Sequence, residues 1–270
     1  MRERKAASIA LVVGLSGCDS LFNLEHVSPI DAAIDTSSPD VMPDADHCAV
    51  TEDEDSDGLT DPCDPCPTVG TADPADADTD GLPDVCDPNL GANMRDMIQY
   101  RAMLSSAEEL DQFTRLGDTY IAGNHGQVML TGGGRLMTLS SYAPTKIEVR
   151  VSGATGTANT ALIRVGIGSL ACEITGADCA TNTNTQQVCA RVKSGVTFGS
   201  GVTSNFPISA VTSVLLQRAA PTSSVVYCVP RAGGAGSQAS LVAGIPQDMV
   251  FVEPGNQAIF VNSFVIYATQ

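Results

Sequence analysis

Hydrophobic and polar positions divide this chain into stretches of different period. Beyond Gly91, Val, Ile, Leu, Thr and Ser recur in short alternating runs, the period of half-buried strands. The runs predict strands over Gln127 to Leu130, Leu136 to Leu139, Lys146 to Val151, Ala161 to Ile167, Gln187 to Val192, Ser213 to Gln217, Ser224 to Val229, Ser240 to Val242, Met249 to Val252 and Ala258 to Ala268. Gly132-Gly133-Gly134, Gly153, Gly156, Gly199-Ser200-Gly201 and Gly233-Gly234 punctuate them. Ser105-Ser106-Ala107-Glu108-Glu109 has the form of a capping box and predicts a short helix reaching Phe113. Many short strands with Gly-rich turns predict a mainly β fold, a jelly-roll-like β-sandwich over 92–270.

Before Gly91 neither period holds. Residues 18–47 scatter Asp, Pro and Ser, as in Ser38-Pro39-Asp40, and cannot bury enough apolar surface to offset their ordering entropy, so they predict a disordered stalk. At the start, Arg2, Arg4 and Lys5 precede an apolar run from Ala6 to Leu15. That run is too short to span a bilayer core of about 30 Å and predicts a cleaved signal over 1–17. Leu15-Ser16-Gly17-Cys18 closely resembles the lipobox of bacterial lipoproteins, which implies that Cys18 is acylated and that the chain is anchored in the cell envelope. Acyl chains of the palmitate kind anchor stably, at about 0.8 kcal/mol per buried methylene. Asp19 resembles the inner-membrane retention signal of enteric bacteria, a rule that does not carry to other groups. The outer membrane or cell surface is the expected location.

Charge sharpens the division. From Asp19 to Met94 there are 20 Asp or Glu and no Lys or Arg, whereas from Arg95 onward 11 basic residues face 10 acidic ones. Such an acidic segment repels nucleic acid, which excludes that partner. Its order is not random: Asp53, Asp55, Asp57, Gly58, Leu59, Asp61, Cys63, Asp64, Pro65 recurs 23 residues later as Asp76, Asp78, Asp80, Gly81, Leu82, Asp84, Cys86, Asp87, Pro88. Carboxylates on alternate residues before a turn-forming Gly converge on a hard cation, and Ca2+ is the expected cofactor. An EF-hand fits poorly, because its twelfth position is Asp64 or Asp87 where Glu is usual, and the Pro residues that follow oppose a flanking helix.

Asp53 to Pro67 and Asp76 to Asn89 resemble the thrombospondin type 3 repeat. The resemblance implies a disulfide-linked module over 48–91 with calcium as its core and little regular secondary structure. It implies Asp53, Asp55, Asp57, Asp61 and Asp64 as one ligand set and Asp76, Asp78, Asp80, Asp84 and Asp87 as the other, with the carbonyls of Leu59 and Leu82 added. The cysteine spacing agrees with it: Cys48 with Cys63 and Cys66 with Cys86 would each close a ring around one acidic loop. In the sandwich, six residues separate Cys172 from Cys179, a loop that closes readily; of three connectivities this one, with Cys189 joined to Cys228, is preferred. Zinc is disfavoured, since no short C-x-x-C pair occurs there.

The final Phe260 to Tyr267, after a short helix and Gly126 to Leu130, is similar to concanavalin- and laminin-G-type sandwiches. No nucleophile elbow occurs, the E-x-D-x-x-E strand of sandwich-fold glycosidases is missing, and His125 reads as a turn residue. The expected function is therefore a lipoprotein that displays a binding domain for a glycan or an envelope protein on a calcium-stiffened spacer. The alternative is a structural envelope component packed against partner subunits. An enzyme is not expected; a glycoside hydrolase is the weaker alternative.

Overall fold

A computed structural model describes residues 53, 55–70, 75–90, 95–104, 107–117, 119–121, 127–153, 162–176, 179, 187–233, 235–255 and 257–270. The expected signal, Cys18, the stalk, Cys48 and His125 lie outside the described residues. Those that are described belong to one compact unit, Pro43–Gln270.

Seventeen strands are found among them. In chain order they are β1 (Asp96–Ala102), β2 (Phe113–Leu116), β3 (Thr119–Ile121), β4 (Val128–Leu130), β5 (Arg135–Tyr142) and β6 (Lys146–Ser152). There follow β7 (Leu162–Ile167), β8 (Leu170–Thr175), β9 (Val188–Ser194), β10 (Thr197–Phe198), β11 (Val202–Ser204) and β12 (Ser213–Arg218). The last are β13 (Val225–Ala232), β14 (Ala235–Gly236), β15 (Ala239–Val242), β16 (Asp248–Pro254) and β17 (Ile259–Thr269). Sheet A runs β14-β13-β12-β6-β17-β4-β3, with β1 also on β17 and β15 also on β13. Sheet B runs β10-β9-β8-β7-β16-β5-β2, with β11 on β9. All recorded pairings are antiparallel, so the expected β-sandwich is the fold.

Period-two alternation builds the core. Ile147, Val149 and Val151 on β6, Val214 and Leu216 on β12, and Phe264 and Ile266 on β17 face Ile163, Val165, Ile167, Cys172, Ile174, Val250 and Val252 of sheet B. The expected helix shrinks to one turn, α1 (Ala107–Leu110), because Phe113 instead enters β2 opposite Thr138 and packs edge-on against Phe264.

At β17 and β6, sheet A is buried on both sides. Beyond the core-facing residues of β17, its outward Val265 and Tyr267 join Cys66, Leu82 and Cys86 in a second apolar cluster, flanked by Val69 and Ile98. The acidic loops thus lie on the sandwich, and the spacer expected to hold it at a distance is corrected to a layer docked on it. Polar clamps reinforce the layer. Lys146 donates from Nζ to the Cys86 carbonyl at 2.9 Å, and Arg101 donates to the carbonyls of Asp61 and Asp64 at 2.7 and 3.0 Å. Lys146 also sits 3.1 Å from Glu148 and over the Tyr267 ring, with both charged side chains almost fully enclosed.

The preferred disulfides of the sandwich are corrected. Cys172 joins Cys228, and Cys179 joins Cys189. On β9, Val188, Ala190 and Val192 point into the core, so Cys189 points outward and cannot reach Cys228, whose side chain is buried between the sheets. Cys172, inward on β8, is across the core with Cα atoms 4.9 Å apart, and the bond staples the two sheets. Cys66 and Cys86 pair as expected; Cys63 is disulfide-bonded, while its expected partner Cys48 lies outside the described residues.

Non-reducing peptide mapping is expected to recover Cys172 with Cys228, and replacing both by Ala is expected to cost about 4 kcal/mol in denaturant unfolding on the chain-entropy relation for a loop of this length. Lys146→Met is expected to cost about 3 kcal/mol by leaving Glu148 enclosed without its partner, and Lys146→Met with Glu148→Leu to recover most of that loss.

Candidate metal centre

Each acidic loop is a compact turn built by its own carboxylates. In the first, Asp53 accepts from the backbone N–H of Asp57 at 3.2 Å and of Gly58 at 2.9 Å, and Asp57 accepts from that of Leu59 at 2.8 Å. In the second, Asp76 accepts from Asp80 at 3.3 Å and from Gly81 at 2.9 Å, and Asp80 accepts from Leu82 at 2.9 Å. The backbone repeats as well: φ is 64° at Ser56 and 61° at Thr79, then 95° at Gly58 and 100° at Gly81. Glycine is needed at the last pair because an L side chain is strained there.

The turns bring oxygens together. Asp53, Asp55 and Asp57 each offer a carboxylate oxygen within 4.8 Å of the others, and so do Asp76, Asp78 and Asp80. Several of these oxygens are buried without a hydrogen-bond partner: one each on Asp55, Asp57, Asp64 and Asp87, and both on Asp78. Asp64 and Asp87 close their loops in the same way. One oxygen of each accepts the N–H two residues on, from Cys66 at 2.7 Å and from Asn89 at 2.6 Å, and the other is left over. An enclosed carboxylate oxygen with no donor is costly unless a cation meets it, so the residues present fit a hard divalent ion.

The other expected ligands are placed less directly. Asp84 accepts from the Ala77 N–H at 2.7 Å, which braces the second loop, and Asp61 opens the short 3-10 turn Asp61–Cys63 beneath Arg101. Leu59 is exposed, while Leu82 is buried in the second apolar cluster.

Burial and crowding disturb the titration of these groups. Asp64 is pushed up to about 6, first by burial and then by the neighbouring charges of Asp55, Asp57 and Asp61, against the pull of the Cys66 N–H. Asp87 is pushed up to about 7 by burial, and further by Asp96 and Asp80, against the Asn89 N–H. Asp55 is raised by burial and by Asp57, with Arg150 opposing.

A second constellation lies on the outer face of sheet B, and sequence reading missed it. Glu253, Arg164, Glu173 and Arg191 stand side by side on β16, β7, β8 and β9. Arg164 donates to Glu173 at 2.8 Å and to Glu253 at 3.0 Å, and Arg135 donates to Glu253 at 2.7 Å while lying 4.2 Å over the Phe251 ring. Glu173 and Glu253 are one strand removed from each other, about 9.5 Å at the backbone. Residues 80 apart in the chain carry no short motif, and only Arg164 and Arg191 of the four lay on predicted strands.

No family model matches the sequence, and no curated protein matches it. Solved structures share the sandwich. The CBM2 module of the evolved Dit of Lactobacillus casei BL23 phage J-1 is 10% identical with a TM-score of 0.47, covering 65% of this chain and 97% of that one. The legume lectin-like domain from Entamoeba histolytica is 8% identical with a TM-score of 0.45, over 60% and 92%. A Bacillus licheniformis β-glucanase is 11% identical with a TM-score of 0.39, over 66% and 92%. These show the fold alone. Since glucanases are among the proteins that share it, the expectation that the chain is not an enzyme is corrected: the missing E-x-D-x-x-E strand does not decide that question.

The raised carboxyls set a pH dependence with a definite sign. Their unfolded values lie near 4, so between about pH 4 and 7 the ion-free fold binds more protons than the unfolded chain and loses their contribution to stability as pH rises. A bound divalent ion favours the ionised form. The gap in Tm between calcium-loaded and chelated protein is therefore expected to widen from pH 5 to pH 7.5 in a thermal melt; a constant gap would contradict it.

Proposed function

We propose that this chain is a calcium-binding lipoprotein of the cell envelope that displays a glycan-handling β-sandwich. The observation that carries the calcium reading is the pair of acidic loops with matching backbone and buried, unpartnered carboxylate oxygens. Their likeness to thrombospondin type 3 repeats names calcium as the ion, with affinities of roughly 0.1 to 1 mM ordinary for extracellular sites. Leu15 to Cys18 supports acylation at Cys18, and with it a membrane anchor. Calcium here secures a layer on sheet A and leaves the outer face of sheet B to the ligand.

The ladder of Arg135, Glu253, Arg164, Glu173 and Arg191 supplies alternating planar donors and acceptors beside an aromatic ring, a surface suited to a hydroxyl-rich ligand. Glycan is the reading this chemistry favours. An envelope-protein partner is the second, and the exposed Phe198 and Val196 at the edge of the same sheet favour it.

Calcium titration of the full chain by calorimetry is expected to show saturable uptake that Asp57→Ala with Asp80→Ala abolishes; unchanged uptake in that variant would defeat the calcium reading. A glycan panel scored for both retention and reducing-end release is expected to find a ligand lost at least tenfold in Arg164→Ala. Retention of a protein partner with no glycan signal would replace glycan by that partner.

A further inference from the structure

We infer that Asp96, the first residue of β1, is a ligand for the cation of the second acidic loop, so that one divalent ion ties the loop to the sandwich. The inference rests on reading the loops as calcium sites. Asp96 lies outside the repeated pattern, nine residues past Asp87 and at the start of a strand. It is only 3% exposed, and one of its carboxylate oxygens has no hydrogen-bond partner. The other oxygen accepts from the Thr269 hydroxyl, which fixes the rotation of the carboxylate, and the Asp96 N–H donates to Asp80. Its carboxyl meets that of Asp87, which also feels the charge of Asp80.

Both loops receive a basic side chain from the sandwich, but only the second also receives a carboxylate through the hydrogen bonds of β1. To the first, sheet A offers Arg101, which donates to the carbonyls of Asp61 and Asp64. To the second it offers Lys146, on the Cys86 carbonyl, and also a further carboxylate, that of Asp96, set against Asp87 with its buried oxygen without a partner. Adding an enclosed anion to enclosed anions is unfavourable unless a cation lies among them. Calcium takes six to eight oxygens at about 2.3 to 2.6 Å, more than Asp76, Asp78 and Asp80 supply with one oxygen each; the one unpartnered oxygen on each of Asp87 and Asp96 raises the supply, and the expected Leu82 carbonyl completes six. Because Asp96 is held by β17 through Thr269, the ion reports loop docking as well as loop folding.

The test uses the full chain with calcium alone as the probe, followed by calorimetry and by hydrogen exchange. Wild type and Asp53→Asn, which alters only the first loop, are compared with Asp96→Asn. Asp96→Asn is expected to weaken one class of site by tenfold or more, to leave the other unchanged, and to lose the calcium-dependent protection of the β1 amides that Asp53→Asn retains. Two sites of wild-type affinity in Asp96→Asn would overturn the inference and leave the calcium reading intact. No uptake by wild type would remove the calcium reading itself, and this inference with it. Should Asp96→Asn fail to fold, Asp96→Glu keeps the charge and moves it by one methylene: weakening of the same class supports the assignment, and unchanged affinity overturns it.

Discussion

Carboxylate oxygens enclosed against protein, with no donor to meet them, are the constraint on which this architecture turns. Such a group is either protonated, supplied with a hydrogen bond, or faced by a cation. The seam between the acidic loops and sheet A holds several of them; Lys146 and Arg101 donate to backbone carbonyls of the loops, and Arg150 lies near Asp55. Several of the carboxylate oxygens are met by none of these donors, which is the strongest physical sign that the loops could hold a cation.

Docking of the loops also explains the odd chemistry of the outer face of sheet A. A sheet face turned to water would carry solvated polar groups, yet β17 and β6 bury Ser263, Val265, Tyr267, Lys146 and Glu148 there. The small apolar cluster around the Cys66–Cys86 bond supplies a hydrophobic contact too small to stabilise a separate domain. The loops borrow a floor from the sandwich, and the sandwich gains a cover for side chains that water would otherwise reach.

Legibility in the sequence followed how local each feature is. Strands such as Lys146 to Val151 and Ser213 to Gln217 were readable because their alternation is unbroken. β1 was not, since a register shift between Ile98 and Tyr100 interrupts its period and its outer face is covered by the acidic layer. Leu170, Cys172 and Ile174 alternate correctly in β8, but attention to the short gap between Cys172 and Cys179 suggested a closed loop where a strand runs. The acidic turns were visible because each is assembled within a dozen residues. Asp96 and the ladder on sheet B were not, because their neighbours come from strands far apart in the chain.

β17 is the last strand in chain order, yet it holds β6 along one side and β4 and then β1 along the other. Sheet A therefore has its centre in its last strand, which is also the floor on which the acidic layer rests. Completion of sheet A is therefore a long-range event that joins residues 96–102 to 264–269, the kind of non-local pairing that forms slowly. Without β17, β1 would lose its one recorded neighbour, and Val265 and Tyr267 would no longer be there to seat the acidic layer.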